Sequence, residues 1–246
     1  MEAGTTGGLP RLIYTSSVNS VLRALCRWLY LPVAVLCGFC LSLYVVQHSG
    51  WYKQRLYHRL ISGNHREQLM AASALAHFGG QEQLLAGLKV EAPAVRDLAA
   101  RALEYLWFSA AGRKAHQVLE TACENADKKD YPAALGLLDR LLEEYPAYAE
   151  AWNRRASVYW QMGLYEKSIV DCQKTLALNP NHYGAWQGIG VCRVQLGDVA
   201  EACRCLRAAL KITPYDETTR HCLEKCEELL RVSPHPERAA KRMNLI

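Results

Sequence analysis

A fixed period of 34 residues runs through the C-terminal half of the chain and constrains its fold more than any other feature. Three residue types show this period: Pro146, Pro180 and Pro214; Trp152 and Trp186; Gly163 and Gly197. Self-similarity at a period between 20 and 50 residues is typical of repeat units that stack on one another. The chain has 246 residues, of which 50% are hydrophobic, so it can bury a continuous core. The period predicts a stack of similar units.

The repeated phrases resemble those of the tetratricopeptide repeat family, in which each 34-residue unit is a helix-turn-helix pair. The phrases are "LLEEYP", "LALNP" and "LKITP" at the prolines, and "AEAW" and "YGAW" at the tryptophans. The resemblance places three repeats at 115–148, 149–182 and 183–216, within the segment 113–216. It implies an all-α fold, an α-solenoid of helix-turn-helix repeats.

The family has small residues at the eighth and twentieth positions of each repeat, where its helices A and B touch. This chain has a small residue at all six places: Ala122, Ala134, Ala156, Ser168, Gly190 and Ala202. Two residues depart from the pattern. Arg155 replaces the usual leucine at position seven, and Val118 stands where the other two repeats have tryptophan. The first repeat therefore matches the family less well than the second and third.

The stretch "YGAWQGIG", residues 183–190, contains three glycines that loosely resemble a phosphate-binding turn. A dinucleotide-binding fingerprint needs a β-strand before the turn, and no strand-like run precedes these glycines. In the repeat register Gly190 is the small eighth residue of helix A, which indicates a packing role. Gly184 and Gly188 are less explained, because glycine inside a helix costs up to about 1 kcal/mol relative to alanine. They would let a ligand or a neighbouring helix approach closely.

The resemblance also implies a binding surface, because the A helices of tetratricopeptide arrays line a concave groove where peptides or partner helices bind. Asparagine and glutamine can bond an extended backbone through both donors and acceptors, and Trp160 offers a large amphipathic contact. The alternative is that these side chains are solvated residues on a spacer. The predicted partner-binding residues are Glu150, Asn153, Arg154, Ser157, Trp160, Gln161, Gln187, Val191 and Gln195, with Gly184 and Val194 on the same face.

One tetratricopeptide subfamily captures acidic chaperone tails through a clamp of lysine, arginine and asparagine side chains. The corresponding positions in this chain hold Leu119, Cys123, Arg154, Gly184 and Gly188. Only Arg154 could contribute to such a clamp. The sequence therefore does not support the capture of a chaperone tail.

Residues 29–46, "LYLPVAVLCGFCLSLYVV", contain no charged side chain. Eighteen helical residues extend for roughly 27 Å, close to the bilayer's hydrocarbon thickness of about 30 Å. We predict a single N-terminal transmembrane helix at 29–46 that follows a basic segment at 1–28. A buried soluble helix and a cleaved signal peptide are the alternatives. The basic residues on the two flanks favour placing the soluble domain on a cytosolic or equivalent reducing side, and an organelle membrane remains open.

Residues 51–112 contain two similar phrases, "REQLMAASALAHFG" and "VRDLAARALEYLWF". Each places an arginine ahead of alanines and leucines at helical spacing, which resembles a HEAT-type helical repeat. A plain helical hairpin is the alternative. Beyond the repeats, the apolar spacing predicts a capping helix at 217–232 that covers the hydrophobic end of the solenoid. A flexible basic tail at 233–246 follows.

Composition and motifs argue against several functional classes. The ten cysteines are irregularly spaced, and no cluster of cysteines and histidines has zinc-finger spacing, so neither a disulfide framework nor a zinc site is indicated. The formal net charge is +5, without a basic stripe that would bind nucleic acid. No hydrolase, kinase, P-loop or metalloprotease signature is present. We therefore predict no enzymatic activity, no metal or other cofactor, no nucleic-acid partner and no small-molecule substrate.

These features predict a membrane-anchored scaffold or adaptor that binds a peptide or a partner protein in the concave groove. One alternative is a structural or assembly subunit of a membrane protein complex, which would use its convex face and its transmembrane helix instead. Another is a sensor whose thiols respond to oxidation. The three hypotheses place the working residues on different surfaces of one all-α fold.

Overall fold

The computed structural model of the chain describes residues 33–42 and 44–232, in which every regular element is a helix. The predicted segments 1–28 and 233–246, together with residues 29–32 and 43 of the predicted anchor, lie outside the described residues. The helices that precede the repeats are α1 (Val33–His48), α2 (Gly50–Ser62), α3 (His65–His77), α4 (Gln81–Gly87) and α5 (Pro93–Phe108). The others are α6 (Gly112–Asp127), α7 (Tyr131–Glu144), α8 (Ala149–Gln161), α9 (Tyr165–Leu178), α10 (Tyr183–Leu196), α11 (Val199–Ile212) and α12 (Glu217–Val232).

In the described part of the chain, no single helix has both the length and the apolar character needed to cross a bilayer. Only α1 and α2 together, as a bent pair, reach the required length and hydropathy. The transmembrane helix at 29–46 therefore stays a prediction. The chain divides into two compact units, and the repeats lie in the second unit, which begins at Lys53.

The helices α6 to α11 form three antiparallel pairs that stack in chain order. The pairs are α6 with α7, α8 with α9, and α10 with α11, and α12 packs against α11. All six small residues predicted at the contacts between helices A and B are buried. The steric reason is clearest at Gly190, where an added Cβ would lie 2.8 Å from the side chain of Leu206. The predicted all-α solenoid is confirmed.

Each repeat turns from helix A to helix B through a residue in the left-handed region of backbone space. Gly163 and Gly197 hold this place in the second and third repeats, with φ of 74° and 87°. The first repeat has Lys129 at the equivalent position, with φ of 62°. Side chains with a Cβ are strained in this conformation, whereas glycine is not. The lysine at this turn is a further departure of the first repeat from the pattern of the other two, and it carries a backbone strain that they avoid.

The periodic prolines and tryptophans are linked by a recurring hydrogen bond. In each case a side-chain N–H donates to the carbonyl of the periodic proline six residues earlier. The pairs are Trp152 with Pro146 at 2.9 Å, Trp186 with Pro180 at 3.1 Å, and Arg220 with Pro214 at 2.6 Å. The bond ties α8, α10 and α12 each to the loop that precedes it.

Arg155, which departs from the family pattern, is held by two carboxylates. Its Nε and Nη2 donate to the two carboxylate oxygens of Asp171 at 2.7 and 3.0 Å, and its Nη1 donates to Asp139 at 2.7 Å. Asp171 is only 3% exposed. The bidentate pair with Asp171 raises the pKa of Arg155 above its ordinary value. A charged bridge from α8 to α7 and α9 thus replaces the usual apolar contact.

The two similar phrases of the segment 51–112 form α3 and α5, which pack against each other with α4 beside them. A capping box between Asn64 and Glu67 begins α3. At the other end of the segment, the carbonyl of Phe108 accepts hydrogen bonds from the Tyr148 hydroxyl and from the imidazole of His116. The end of α5 is therefore fixed to α6 and to the residue that precedes α8.

Candidate functional site

The N-terminal ends of α8, α10 and α12 form one edge of the concave groove, and we call this edge the rim. Helix α5 lies along the rim. The indole of Trp107 stacks on the imidazole of His182, with 4.5 Å between the ring centroids, and lies 5.6 Å from the ring of Tyr183. Eleven residues earlier in α5, the guanidinium of Arg96 lies 4.3 Å from the ring centre of Tyr215. The segment before the repeats therefore reaches beyond the first repeat, as far as the residue pair that precedes α12.

A buried charge network lies beneath α5 at the rim. Glu150 is 2% exposed, and its two carboxylate oxygens accept hydrogen bonds from Arg154 Nε at 2.6 Å and His182 Nε2 at 2.8 Å. Arg154 also approaches Glu104 of α5 at 3.8 Å, and its guanidinium lies over the ring of Phe108. Burial opposes the ionisation of Glu150, but the His182 hydrogen bond and the positive Arg154 outweigh it, so the pKa of this carboxyl is lowered.

His182 has a second structural role, which fixes its tautomer. Its Nδ1 accepts a hydrogen bond from the backbone N–H of Ala185 at 3.2 Å and so caps the N-terminus of α10. Since Nδ1 accepts, the proton must be on Nε2, which donates it to Glu150. Asp216 occupies the equivalent repeat position and caps α12. The sequence analysis missed His182, although its place one repeat before a capping aspartate was a usable signal.

Three of the predicted groove residues have their polar groups engaged inside the protein. Glu150 and Arg154 belong to the rim network. Gln187 Nε2 donates to the hydroxyl of Thr219 at 2.5 Å and to the carboxylate of Asp216, which joins α10 to α12. The structure thus places these three side chains at contacts within the fold. Their predicted role in partner binding has no support from their surroundings.

The other predicted residues lie between the middle and the C-terminal end of α8 and α10. Asn153, Ser157, Trp160 and Val191 line one cavity of about 180 Å³, which we call the groove pocket. Gln161 is exposed and lines a smaller cavity of about 60 Å³ with Ser157 and Arg154, and Gln195 is half-buried. The remaining lining of the groove pocket comes from Ala156, Ser168, Cys172, Gly184 and Gly188.

Gly184 and Gly188, which are four residues apart on α10, line the groove pocket without a side chain. A Cβ on Gly188 would lie 2.9 Å from the sulfur of Cys172, so this position is tight. A Cβ on Gly184 would meet nothing closer than the His182 ring at 3.4 Å, which is an ordinary contact distance. Packing accounts for the absence of a side chain at Gly188. At Gly184, by contrast, packing leaves room for a side chain.

The groove pocket is neutral, and one of its lining residues, Trp160, has an unsatisfied buried donor. None of its lining residues carries a formal charge. The indole Nε1–H of Trp160 is buried and has no hydrogen-bond partner among the described residues. By contrast, the indoles of Trp107, Trp152 and Trp186 all donate to acceptors within the protein. A buried donor of this kind costs roughly 1–3 kcal/mol when it is left unpaired.

The thiols and carboxylates of the described residues do not form a metal-binding cluster. No group of three or more histidine, cysteine, aspartate or glutamate side chains in residues 33–42 and 44–232 is arranged to hold a metal ion. Every cysteine that the structure describes is a free thiol. Burial raises the pKa of Cys172 to about 12, so its reactive thiolate is scarce at neutral pH. A redox role for the thiol at the groove pocket is disfavoured for this reason.

Comparisons with known proteins agree with the repeat geometry. The tetratricopeptide repeat model matches residues 149–182 and 183–216, the predicted second and third repeats. A TPR repeat-containing protein of Rhizobium etli is 30% identical over 150 residues, which cover 61% of this chain and 74% of that protein. The Protein SGT1 homolog of Bos taurus is 29% identical over 101 residues, which cover 41% of this chain and 30% of the bovine protein.

Among solved structures, the first TPR domain of Spaghetti bound to an HSP90 peptide is similar, with 22% sequence identity and a TM-score of 0.47. The match covers 48% of this chain and 94% of the Spaghetti domain. The repeat type predicted for residues 149–216 is thus confirmed by the family matches. The first repeat, 115–148, has the helix pair α6 and α7 but lies outside the two matched repeats.

Proposed function

The chain belongs to the tetratricopeptide repeat family, and from that premise we propose that it is a non-enzymatic scaffold that binds a partner protein in its concave groove. The observation that carries this proposal is the groove pocket, a cavity of about 180 Å³ between α8 and α10, together with the unpaired buried indole donor of its lining residue Trp160. A partner's carbonyl oxygen would remove the cost of that unpaired donor. Binding energy is therefore available to a partner group that reaches this donor from the groove pocket.

Only part of the predicted surface is suited to this role. At the rim, α5 covers the groove and the charged side chains are paired with one another. The middle of the groove presents Asn153, Ser157, Trp160, Gln161 and Val191. We assign partner contact to this middle section together with Gln195.

We also propose that residues 29–46 anchor the scaffold to a membrane, with the repeats on a reducing side. The support is the uncharged apolar sequence of that segment and the free thiols of the repeats. Alkaline carbonate extraction of cell membranes tests the anchor. The full chain should stay in the membrane pellet, and a variant without residues 29–46 should appear in the supernatant. If both distribute alike, the anchor is contradicted.

A second candidate function is that of a structural subunit of a membrane complex. A specific observation favours it, because the exposed Leu69 and Tyr105 line a cavity of about 240 Å³ between α3 and α5, and Met70 is also exposed on α3. Such a surface would suit permanent contact with another protein. It lies on the helices before the repeats, so it can be tested separately from the groove.

Photocrosslinking in native membranes distinguishes the two candidates. A photoreactive residue is introduced at Gln161, which is exposed on α8, and at Gln173, which is equally exposed on α9 outside the groove. We expect a dominant adduct at position 161 alone, and we expect it to be lost when Val191→Arg places a charge in the groove pocket. Equal adducts at both positions, or adducts only from a third probe at Met70, would contradict groove binding.

A further inference from the structure

We infer that the groove pocket is an anchor site for one uncharged, apolar side chain of a partner segment, whose neighbouring backbone carbonyl accepts the Trp160 Nε1–H. This inference deepens the proposed function and rests on it. It assigns a chemistry to the partner, namely a neutral peptide segment with a leucine-to-phenylalanine-sized side chain at its centre.

The size of the anchoring side chain follows from the volume of the groove pocket. Its 180 Å³ is comparable to the roughly 150 Å³ of an engineered protein cavity that accommodates benzene. Leucine, isoleucine, methionine and phenylalanine side chains fit such a space. The walls formed by Ala156, Cys172 and Val191 offer apolar contact to an inserted group.

The polarity of the partner follows from the charges around the groove pocket. A carboxylate inserted there would be removed from water without a cation to pair with it, which is strongly unfavourable. The cation at the clamp positions, Arg154, already donates to Glu150 at 2.6 Å and lies 3.8 Å from Glu104. An acidic tail would have to compete with these internal carboxylates. The geometry therefore favours a neutral segment.

The hydrogen-bond donor follows from the position of Trp160. Its indole ring lines the groove pocket, and its Nε1–H is buried without an acceptor in the described part of the chain. A peptide backbone supplies a carbonyl next to every side chain, so an inserted side chain brings an acceptor with it. Asn153 also lines the groove pocket and adds an amide that can bond the same backbone.

Gly184 offers a substitution that fills the groove pocket and leaves the helix intact. A Cβ at this position makes only ordinary contacts with the His182 ring, and Gly184 lines the groove pocket, so a leucine there would take up part of that space. Gly136 on α7 is a matched control, because it is also helical and a Cβ there meets nothing within 4 Å. Gly184→Leu and Gly136→Leu thus differ in whether the leucine reaches the groove.

The test is a selection of phage-displayed random 10-residue peptides against the immobilised full chain. The recovered peptides should share one leucine, isoleucine, methionine or phenylalanine and should lack clustered aspartate and glutamate. Their affinity should fall by at least about tenfold for Gly184→Leu and about fivefold for Trp160→Phe, which removes the donor but keeps a ring. Gly136→Leu should bind them as the unaltered chain does.

A groove variant outside the groove pocket, Gln161→Arg, separates the failure of this inference from the failure of groove binding. Peptides that are lost with Gln161→Arg but bind Gly184→Leu normally would overturn the anchor site and leave groove binding in place. Peptides that are insensitive to both substitutions, or the recovery of no peptide, would overturn both proposals. Recovered peptides rich in acidic residues would overturn the assignment of a neutral partner.

Discussion

The rim and the groove pocket are adjacent parts of one concave surface, yet they differ in how their polar groups are used. At the rim, Glu150, Arg154 and His182 bond one another beneath α5. Among the residues that line the groove pocket, Trp160 has a buried indole donor without an acceptor in the described part of the chain, and Gly184 leaves space that packing does not require. The rim is thus complete as a structural contact, whereas the groove pocket is incomplete without a ligand.

A repeat position that faces the groove in the tetratricopeptide family is therefore not always available for binding. Position two of helix A is Glu150 in the second repeat, where it is buried, and Gly184 in the third repeat, where it opens a cavity. The same repeat position therefore serves the fold in one unit and, in our proposal, serves recognition in the next.

The largest expected effect tests the rim as a structural contact. Glu150→Ala removes the carboxylate that bonds the partly buried guanidinium of Arg154 and the buried imidazole of His182. Because the loss of one member of a buried ion pair costs about 3–5 kcal/mol, we expect a loss of about 3 kcal/mol in the free energy of unfolding. Urea denaturation of the full chain measures it. The matched control Glu143→Ala, on the exposed face of α7, should change stability by less than about 0.5 kcal/mol.

The next effect concerns the glycine that the fold requires. Gly190→Ala would place a Cβ 2.8 Å from the side chain of Leu206 and should destabilise the chain by about 1–3 kcal/mol through overpacking. Thermal or urea unfolding gives the value. Unchanged stability would mean that α10 and α11 are not as closely packed as the structure shows.

A gain in stability is expected for a substitution six residues earlier in α10. Gly184→Ala introduces a better helix former without a close contact, so it should stabilise the chain by up to about 1 kcal/mol. Comparison with Gly190→Ala under identical conditions separates a glycine that serves packing from one that leaves space. A loss of stability at Gly184 would assign it to the fold and remove the physical argument for an open pocket.

The smallest expected effect is in the pH dependence of stability. The pKa of Glu150 is lowered in the folded chain, so its contribution is fully present above the ordinary glutamate pKa of about 4.3. It is lost as the pH falls from that value through the folded-state pKa. The stability of the unaltered chain should therefore fall more steeply below pH 4.3 than that of Glu150→Gln. Parallel pH profiles would contradict the ionised, paired state of Glu150.

The sequence predicted the repeat architecture because its causes are local and periodic. The small residue at Gly190 and the turn glycines at 163 and 197 recur at 34-residue intervals, and each is required by the geometry of one helix pair. The departure at Arg155 was visible in the sequence, but its partner Asp171 could be identified only once α8 and α9 were placed side by side.

The rim could not be predicted because its contacts come from distant parts of the chain. Trp107 meets His182 across 75 residues, and Glu150 meets His182 across 32. No local pattern in the sequence indicates that α5 contacts the second and third repeats in addition to the first. The groove pocket was partly predictable, since Gly184 and Gly188 stood out as glycines without a packing explanation.

The most direct test of the central claim is the ¹H–¹⁵N signal of the Trp160 indole in the full chain, recorded while the tightest-binding selected peptide is added. We expect this signal to shift further than any other indole signal and to become protected from hydrogen exchange, because the Trp160 donor gains an acceptor. The indole of Trp152, which already donates to Pro146, should change little. Saturating peptide that leaves the Trp160 signal unmoved would contradict the claim that the groove pocket is the recognition site.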